Sequence, residues 1–240
     1  MRKLITLLLF TGIICSGVEY GKGAKEIVDK SNKFNKLDSL KKVKSFHQTN
    51  SIKITGQNIK MAVLLYSSGD NVYSKTTMTQ GGNTMVLEEK GYDGKVAWSK
   101  SLQSGMRELK GDELTLTKQS TLQGMINMFS LYDKVQLSKE ETFNKIDCKV
   151  LLLKKKGSKD TKIYINAKTF ETVGTESTVN TQFGDIKITI QITETATHKK
   201  GFKYPKKMKM IMGPSIIELT TDSFEIDKKV DESKYKKPGS

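Results

Sequence analysis

The sequence predicts a mainly β protein with some α: a half-open, strongly curved antiparallel barrel of about eleven strands, with helices filling its open side. Three observations predict it. Apolar residues recur with a period of two over most of the chain from Phe46 onward, most cleanly where Ile186, Ile188, Ile190 and Ile192 alternate with Lys187, Thr189, Gln191 and Thr193. Short turn signals separate the runs, and strands joined by short turns pair antiparallel because parallel strands need long crossovers. One antiparallel sheet of this size must curl or split, and two amphipathic segments are available to fill the concavity.

Residues 1–17 read as an export signal. Arg2 and Lys3 precede an apolar run over residues 4–14, shorter than the roughly 20 apolar residues a spanning helix needs, and small residues follow. Cleavage is placed near Cys15-Ser16-Gly17, with Gly17 the last residue removed. Lipidation at Cys15 is the second route, although Ile14 is large where such sites carry a small residue. Losing Arg2 and Lys3 lowers the formal charge from +15 to +13. Cys148 opens a strand-like apolar run and reads as a small buried hydrophobe.

Residues 24–238 then form one domain. Over 24–43, Ile27, Phe34, Leu37 and Leu40 share one face of a single amphipathic helix whose other face is rich in lysine. From Phe46, strands are predicted over 46–56, 60–66, 72–79, 84–90 and 96–99. They are punctuated by Ser67-Ser68-Gly69-Asp70-Asn71, by Gln80-Gly81-Gly82-Asn83 and by a tight turn at Asp93-Gly94. Residues 112–132 return to helical spacing, with Leu122, Met125, Ile126 and Phe129 at intervals of three, one and three. Asp112 is placed as the cap, and because Gly124 interrupts the run, two short helices or a kink are expected near it. Strands resume over 134–138, 148–154, 162–166, 172–180 and 186–193. A strand with Met208, Met210 and Met212 on one face follows, then one over 216–226. The tail, 227–240, is polar and is expected to lie along the surface.

The 240 residues include 41 Lys and Arg, 26 Asp and Glu, two Cys and two His. Two cysteines exclude a disulfide-dense scaffold and a four-thiolate zinc site, and His47 and His198 alone argue against a histidine-rich metal centre. Neither a phosphate-cradling glycine loop nor a serine-centred elbow occurs. The neighbours Glu88-Glu89 and Glu140-Glu141 point to opposite faces of a strand and cannot converge as an acid–base pair. No catalytic residue, metal or cofactor is assigned. Lysines at 154–156, 199–200, 206–207 and 236–237 are scattered over several hairpins and read as a solvated face. The scarcity of arginine, which nucleic-acid readers favour, argues with export against a nucleic-acid partner. Attraction to an anionic membrane surface is the partner chemistry this basic face retains.

A half-barrel closed by helices can hold lipid where another domain places core side chains. Met125, Met128, Met208, Met210 and Met212 suit a surface that repacks around varied acyl chains. Ordinary core packing is the alternative for any one of them.

Four segments resemble the outer-membrane lipoprotein carrier family, LolA-like with the related LolB-like acceptors. Ala24-Lys25-Glu26-Ile27-Val28-Asp29-Lys30 is similar to that family's opening helix. Gly91-Tyr92-Asp93-Gly94-Lys95-Val96-Ala97-Trp98 is similar to its mid-sheet hairpin with a tryptophan. Ile163-Tyr164-Ile165-Asn166-Ala167-Lys168-Thr169-Phe170 resembles a strand and turn from which Asn166 and Phe170 depart. Lys200-Gly201-Phe202-Lys203-Tyr204-Pro205, with residues 224–227 and 232–238, resembles the closing strands. The resemblance implies a half-open, eleven-stranded barrel whose helices form a lid over a hydrophobic cavity. It implies a monomeric, non-enzymatic periplasmic carrier that shields the acyl chains of lipoproteins, or of a related lipid, on the way to the outer membrane. Membrane release and acceptor proteins would be its partners. Leu122, Met125, Ile126 and Phe129 are expected on the lid face, with Trp98 and Met210 in the cavity wall. The alternatives are an acceptor anchored at a lipidated Cys15, or an envelope interaction or sensor module without cargo. The best-described carriers hold the lid with an arginine near the start of the sheet. None lies between residues 46 and 65 here, and Arg107, in another segment, is not expected to take that role.

Overall fold

A computed structural model describes residues 17–56, 59–181 and 184–239. The expected export signal and Cys15 therefore lie outside the described residues, Gly17 apart. The chain begins with β1 (Glu19–Tyr20), α1 (Ala24–Asn35) and α2 (Leu37–Leu40). It continues through β2 (Ser45–Ile54), β3 (Lys60–Ser68), β4 (Asn71–Gln80), β5 (Asn83–Asp93), β6 (Ala97–Ser101) and β7 (Gly105–Glu108). Next come α3 (Gly111–Gln119), α4 (Leu122–Ile126) and a 3-10 turn (Met128–Leu131). The second run of strands is β8 (Lys134–Leu137), β9 (Glu141–Phe143), β10 (Ile146–Lys154), β11 (Thr161–Asn166), β12 (Thr172–Thr181), β13 (Gly184–Thr197), β14 (Lys203–Met212) and β15 (Ser215–Ile226). A 3-10 turn (Glu232–Tyr235) lies in the tail.

Among the described residues these strands form one sheet in the order β1-β8-β10-β11-β12-β13-β14-β15-β2-β3-β4-β5-β6-β7, with β9 added to β10. Its two edges, β1 and β7, do not meet, so the barrel is curved and open, as the turn chemistry predicts. β15 returns beside β2 antiparallel, which joins the two meanders. Only β1 against β8 is parallel among the described pairs. Of the fifteen strands among the described residues, the three with no counterpart in the expected runs are β1, β7 and β9, of 2, 4 and 3 residues. Runs this short carry no readable period.

The leading helix is two helices, not one. Lys36 adopts a left-handed conformation (φ 52°), and its N–H closes α1 on the carbonyls of Asn32 and Lys33. The break lets the segment serve two cores. α1 buries Ala24, Ile27 and Val28 against Val135, Leu151, Leu153, Ile163 and Ile165. Leu40, at the end of α2, joins Val43, Phe46, Phe202 and Phe224. A straight helix would carry Leu40 past that second cluster.

The central helical segment is two short helices, as expected, with the break at Ser120-Thr121 shortly before Gly124. Thr121 caps α4, its Oγ1 accepting the Gly124 N–H at 2.8 Å. Gly124 sits inside α4, where an added Cβ would lie 1.8 Å from the Lys118 carbonyl oxygen. Glycine is there for the close approach of α4 to the end of α3. Asp112 is not the cap of α3; Lys110 holds that position without a side-chain bond. Asp112 instead accepts hydrogen bonds from Ser158 Oγ and from the Asn180 N–H.

The tail is more than a surface trailer. After Asp227 it crosses the outer face of the sheet and buries Tyr235 beside Tyr73 and Trp98. Trp98 Nε1 donates to the Tyr235 carbonyl at 2.9 Å, and Lys237 pairs with Glu108 on β7 at 3.0 Å. The tail thus straps β2 through β7 from outside. Gly91 makes room for this, since a Cβ there would lie 2.4 Å from Trp98 Nε1.

Candidate functional site

Strand β2 spells out the inner face of the barrel from end to end. Phe46 is fully buried in the aromatic cluster with Phe202 and Phe224. Two residues on, Gln48 and Asn50 form a polar belt with Thr221. Gln48 Nε2 donates to Asn50 Oδ1 at 2.7 Å, and Thr221 Oγ1 donates to Asn50 Oδ1 at 3.0 Å. Beyond the belt, Ile52 and Ile54 face the same side and are only half buried.

Their cross-strand neighbours extend this apolar surface across the sheet. One row runs Ile190, Met210, Ile217, Ile54, each directly opposite the next. A second runs Ile192, Met208, Leu219, Ile52, Met61, Met78, Met85. Apart from Met85, which is exposed, all are of intermediate burial. They line a trough instead of packing as a solid core.

α3 lies over one side of this trough and divides its inner part into two lobes of about 180 and 480 Å³. Both are lined by Leu116, Val179, Ile188 and Met210. Their combined size is in the range of small-molecule sites, about 300–1,000 Å³. Leu116 projects from the underside of α3 yet is 40% exposed, so the helix covers the trough without filling it.

Arg107, which does not lie where the family arginine is expected near the start of the sheet, ties α3 to strand β7. On the edge strand β7, its two terminal nitrogens donate to the two Glu113 oxygens at 2.8 and 2.6 Å. Glu113 lies in the first turn of α3. The bidentate bond holds the Glu113 carboxyl below the usual carboxylate range, and the same bond raises the Arg107 guanidinium. Arg107→Ala should loosen α3 by about 1 kcal/mol, seen as faster amide exchange in residues 111–119 with β10 and β11 unchanged. Because the Glu113 pKa is lowered on folding, this contribution is present above the ordinary glutamate range and is lost on acidification through the lowered value.

The sequence-predicted site residues divide sharply. Met210 is in the trough, lining both lobes. Leu122 and Ile126 are buried, with Met125 packed against them, in the cluster of Phe46, Phe202 and Phe224. Phe129 packs on the α1 cluster. These four anchor the helical segment to the sheet, and none of them lines the two lobes. Trp98 is on the opposite face, under the tail, because it alternates with Ala97, whose side chain joins Val72, Tyr92 and Leu109 below α3. Met128, one of the methionines suited to acyl chains, lines the smaller lobe, whereas the sequence did not single out Leu116, Ile188, Ile190 or Val179 for the site. The isoleucine alternation of β13 was the signal that could have found two of them.

Among the described residues no group of His, Cys, Asp or Glu is arranged to hold a metal ion, and no helix is long and apolar enough to cross a membrane. Cys148 is fully buried against Phe143 and Tyr164, and burial pushes its thiol up. Most lysines of the clusters are exposed as expected; Lys155, Lys206 and Lys237 are half buried, and of these Lys155 is turned into the smaller lobe.

No protein-family model matches the chain, and no curated protein matches its sequence. Solved structures match over most of its length. A LolA superfamily protein from Nitrosomonas europaea is similar with a TM-score of 0.60 at 14% identity, over 89% of this chain and 97% of that one. A DUF1329 family protein from Desulfovibrio piger gives 0.56 at 13%, covering 89% and 97%. A domain from Vibrio parahaemolyticus described as an outer membrane lipoprotein-sorting protein gives 0.53 at 12%, covering 88% and 94%. What is shared at these identities is the fold: the chain has the curved open sheet of these solved structures.

Proposed function

We propose that this protein is a periplasmic carrier that shields the acyl chains of a lipoprotein, or of a related lipid, in the trough under α3. The observation that carries the reading is the pair of apolar rows across β13, β14, β15, β2, β3 and β4, left half exposed where a structural core would close over them. Covering such surface is favourable by about 0.8 kcal/mol per buried methylene. Seven methionines on or beside this surface, Met61, Met78, Met85, Met128, Met208, Met210 and Met212, give it side chains that repack without strain. The fold shared with a lipoprotein-sorting domain supports the same cargo class.

In this reading residues 1–17 direct export, and the protein works by opening and closing α3 and performs no covalent chemistry. α3 is held to the rest of the fold by the Arg107–Glu113 pair, by hydrogen bonds to Asp112 and Thr115, and by Leu114 packed beside Val72, Tyr92, Ala97 and Leu109. These contacts are mostly polar, so α3 can lift while the clusters around α1 and α2 stay intact. The test is a titration of delipidated protein with acyl ligands. Saturable binding that scales with chain length is expected. A protein that takes up no acyl ligand would sink the proposal.

A further inference from the structure

The smaller lobe has an apolar stretch of wall and two lysines among its polar lining, Lys155 and Lys159, of which Lys159 is paired with Asp185. Leu116, Met128, Leu153, Ile163, Ile190 and Met210 line it, and Lys155 enters among them from the end of β10. The residues on either side of Lys155 in sequence, Lys154 and Lys156, are exposed, whereas Lys155 is half buried. Its ammonium donates to Thr115 Oγ1, on the underside of α3, at 2.8 Å. Thr115 Oγ1 in turn donates to the Gly111 carbonyl at 3.1 Å.

That leaves the ammonium with three donors, one hydroxyl partner and no counter-charge in contact. Lys154 and Lys159 pair with Asp160 and Asp185, but Lys155 makes no ion pair among the described residues. Asp112 is in the same wall, yet its oxygens are taken by Ser158 Oγ and the Asn180 N–H. Asp133 nearby accepts from the Lys156 N–H. Burial depresses the Lys155 pKa, Lys118 adds to the depression, and Asp133 and Asp112 only partly offset it. A desolvated cation at the end of an apolar lobe is costly unless an anion completes it.

We infer that this lobe takes an acyl chain ending in an anionic head group, a carboxylate or a phosphate monoester, with the head held between Lys155 and Thr115. The inference rests on the carrier reading and narrows its cargo from acyl chains in general to anionic lipids. The chain lies along Met210 and Ile190, and the head replaces the hydroxyl as the main partner of the ammonium. Because Thr115 belongs to α3, the head group also links the covering helix to β10 across the lobe.

The test compares three ligands of equal chain length, dodecanoic acid, dodecyl phosphate and dodecan-1-ol, by calorimetric titration of the delipidated mature protein. At least one anion should bind about ten-fold tighter than the alcohol, and the tighter of the two identifies the head group. Lys155→Met should bind all three with the affinity of the alcohol, and Lys155→Arg should keep the preference, which separates lost charge from lost fold. Equal affinity for the anions and the alcohol overturns the inference and leaves the carrier reading standing. A preference that survives in Lys155→Met also overturns it. Failure of all three ligands to bind overturns both.

Discussion

Replacing Met210 with aspartate is expected to weaken acyl-ligand binding by about 100-fold or more while leaving the melting temperature close to that of the parent protein. The asymmetry follows from where Met210 sits. Its side chain lines both lobes and is only partly buried in the free protein, so a carboxylate there remains hydrated until a ligand arrives. An acyl chain laid over it would strip that water without supplying a hydrogen bond. Phe129→Asp is the informative contrast. Phe129 packs on the cluster of Ala24, Ile27, Val28 and Tyr132, so the same kind of change there should destabilise the fold itself. Titration and thermal melting of the two variants side by side separate the trough from the core. If Met210→Asp binds normally, the acyl chain lies elsewhere.

Tyr235→Ala should cost about 3–5 kcal/mol of stability, the loss typical of emptying a large buried aromatic site. Tyr235 is 1% exposed although it lies in a polar tail, and its carbonyl receives the Trp98 indole N–H. Losing the side chain removes the wedge between Trp98 and Tyr73 and frees the strap from β6 and β7. The expected readout is a lower urea midpoint, with early loss of amide protection in β6 and β7. Alkaline pH should act at the same place. Burial, with Glu232 nearby, pushes the Tyr235 phenol from 10.0 up to about 12. A tyrosine whose folded pKa is raised contributes stability that is complete below its unfolded value and is lost as pH rises through its folded value. The strap should therefore loosen between about pH 10 and 12, and Tyr235→Phe should lose that part of the alkaline transition.

The strand ladder was legible because most strands are long enough to repeat an alternation, and because Asp93-Gly94 and the other turns mark their ends. Asp93 Oδ1 accepts the N–H groups of Lys95 and Val96 at 2.9 and 2.8 Å, the local bonds that the Asp-Gly pair advertises. The site was only partly legible, and for a physical reason. Leu122, Met125, Ile126 and Phe129 form the strongest helical apolar pattern of the middle segment, and a strong pattern marks permanent burial. In the carrier reading α3 covers an apolar trough and also leaves it, and a helix with that task carries only a weak stripe. α3 has two leucines, Leu114 packed on the Val72 cluster and Leu116 exposed, set among Thr115, Thr117 and Gln119, a pattern too short for periodicity to separate from a surface helix.

Trp98 was misplaced because both faces of β6 are covered, one by α3 and its neighbours and the other by the tail. Alternation shows that Ala97 and Trp98 point apart but not which of them faces inward. Arg107 and Glu113 are six residues apart in sequence, yet their pairing depends on how β7 turns into α3. Lys155 was hidden inside a run of three lysines, where only the register of β10 and the turn after it decides which one turns inward.

The central claim is that the half-exposed rows around Ile190 and Met210 exist to hold acyl chains. Native mass spectrometry of the mature protein released from its own envelope, followed by lipid extraction, tests that claim most directly. A stoichiometric acyl-bearing species, lost in Met210→Asp, is the predicted result. A protein that emerges empty and also refuses added acyl ligands would contradict the account.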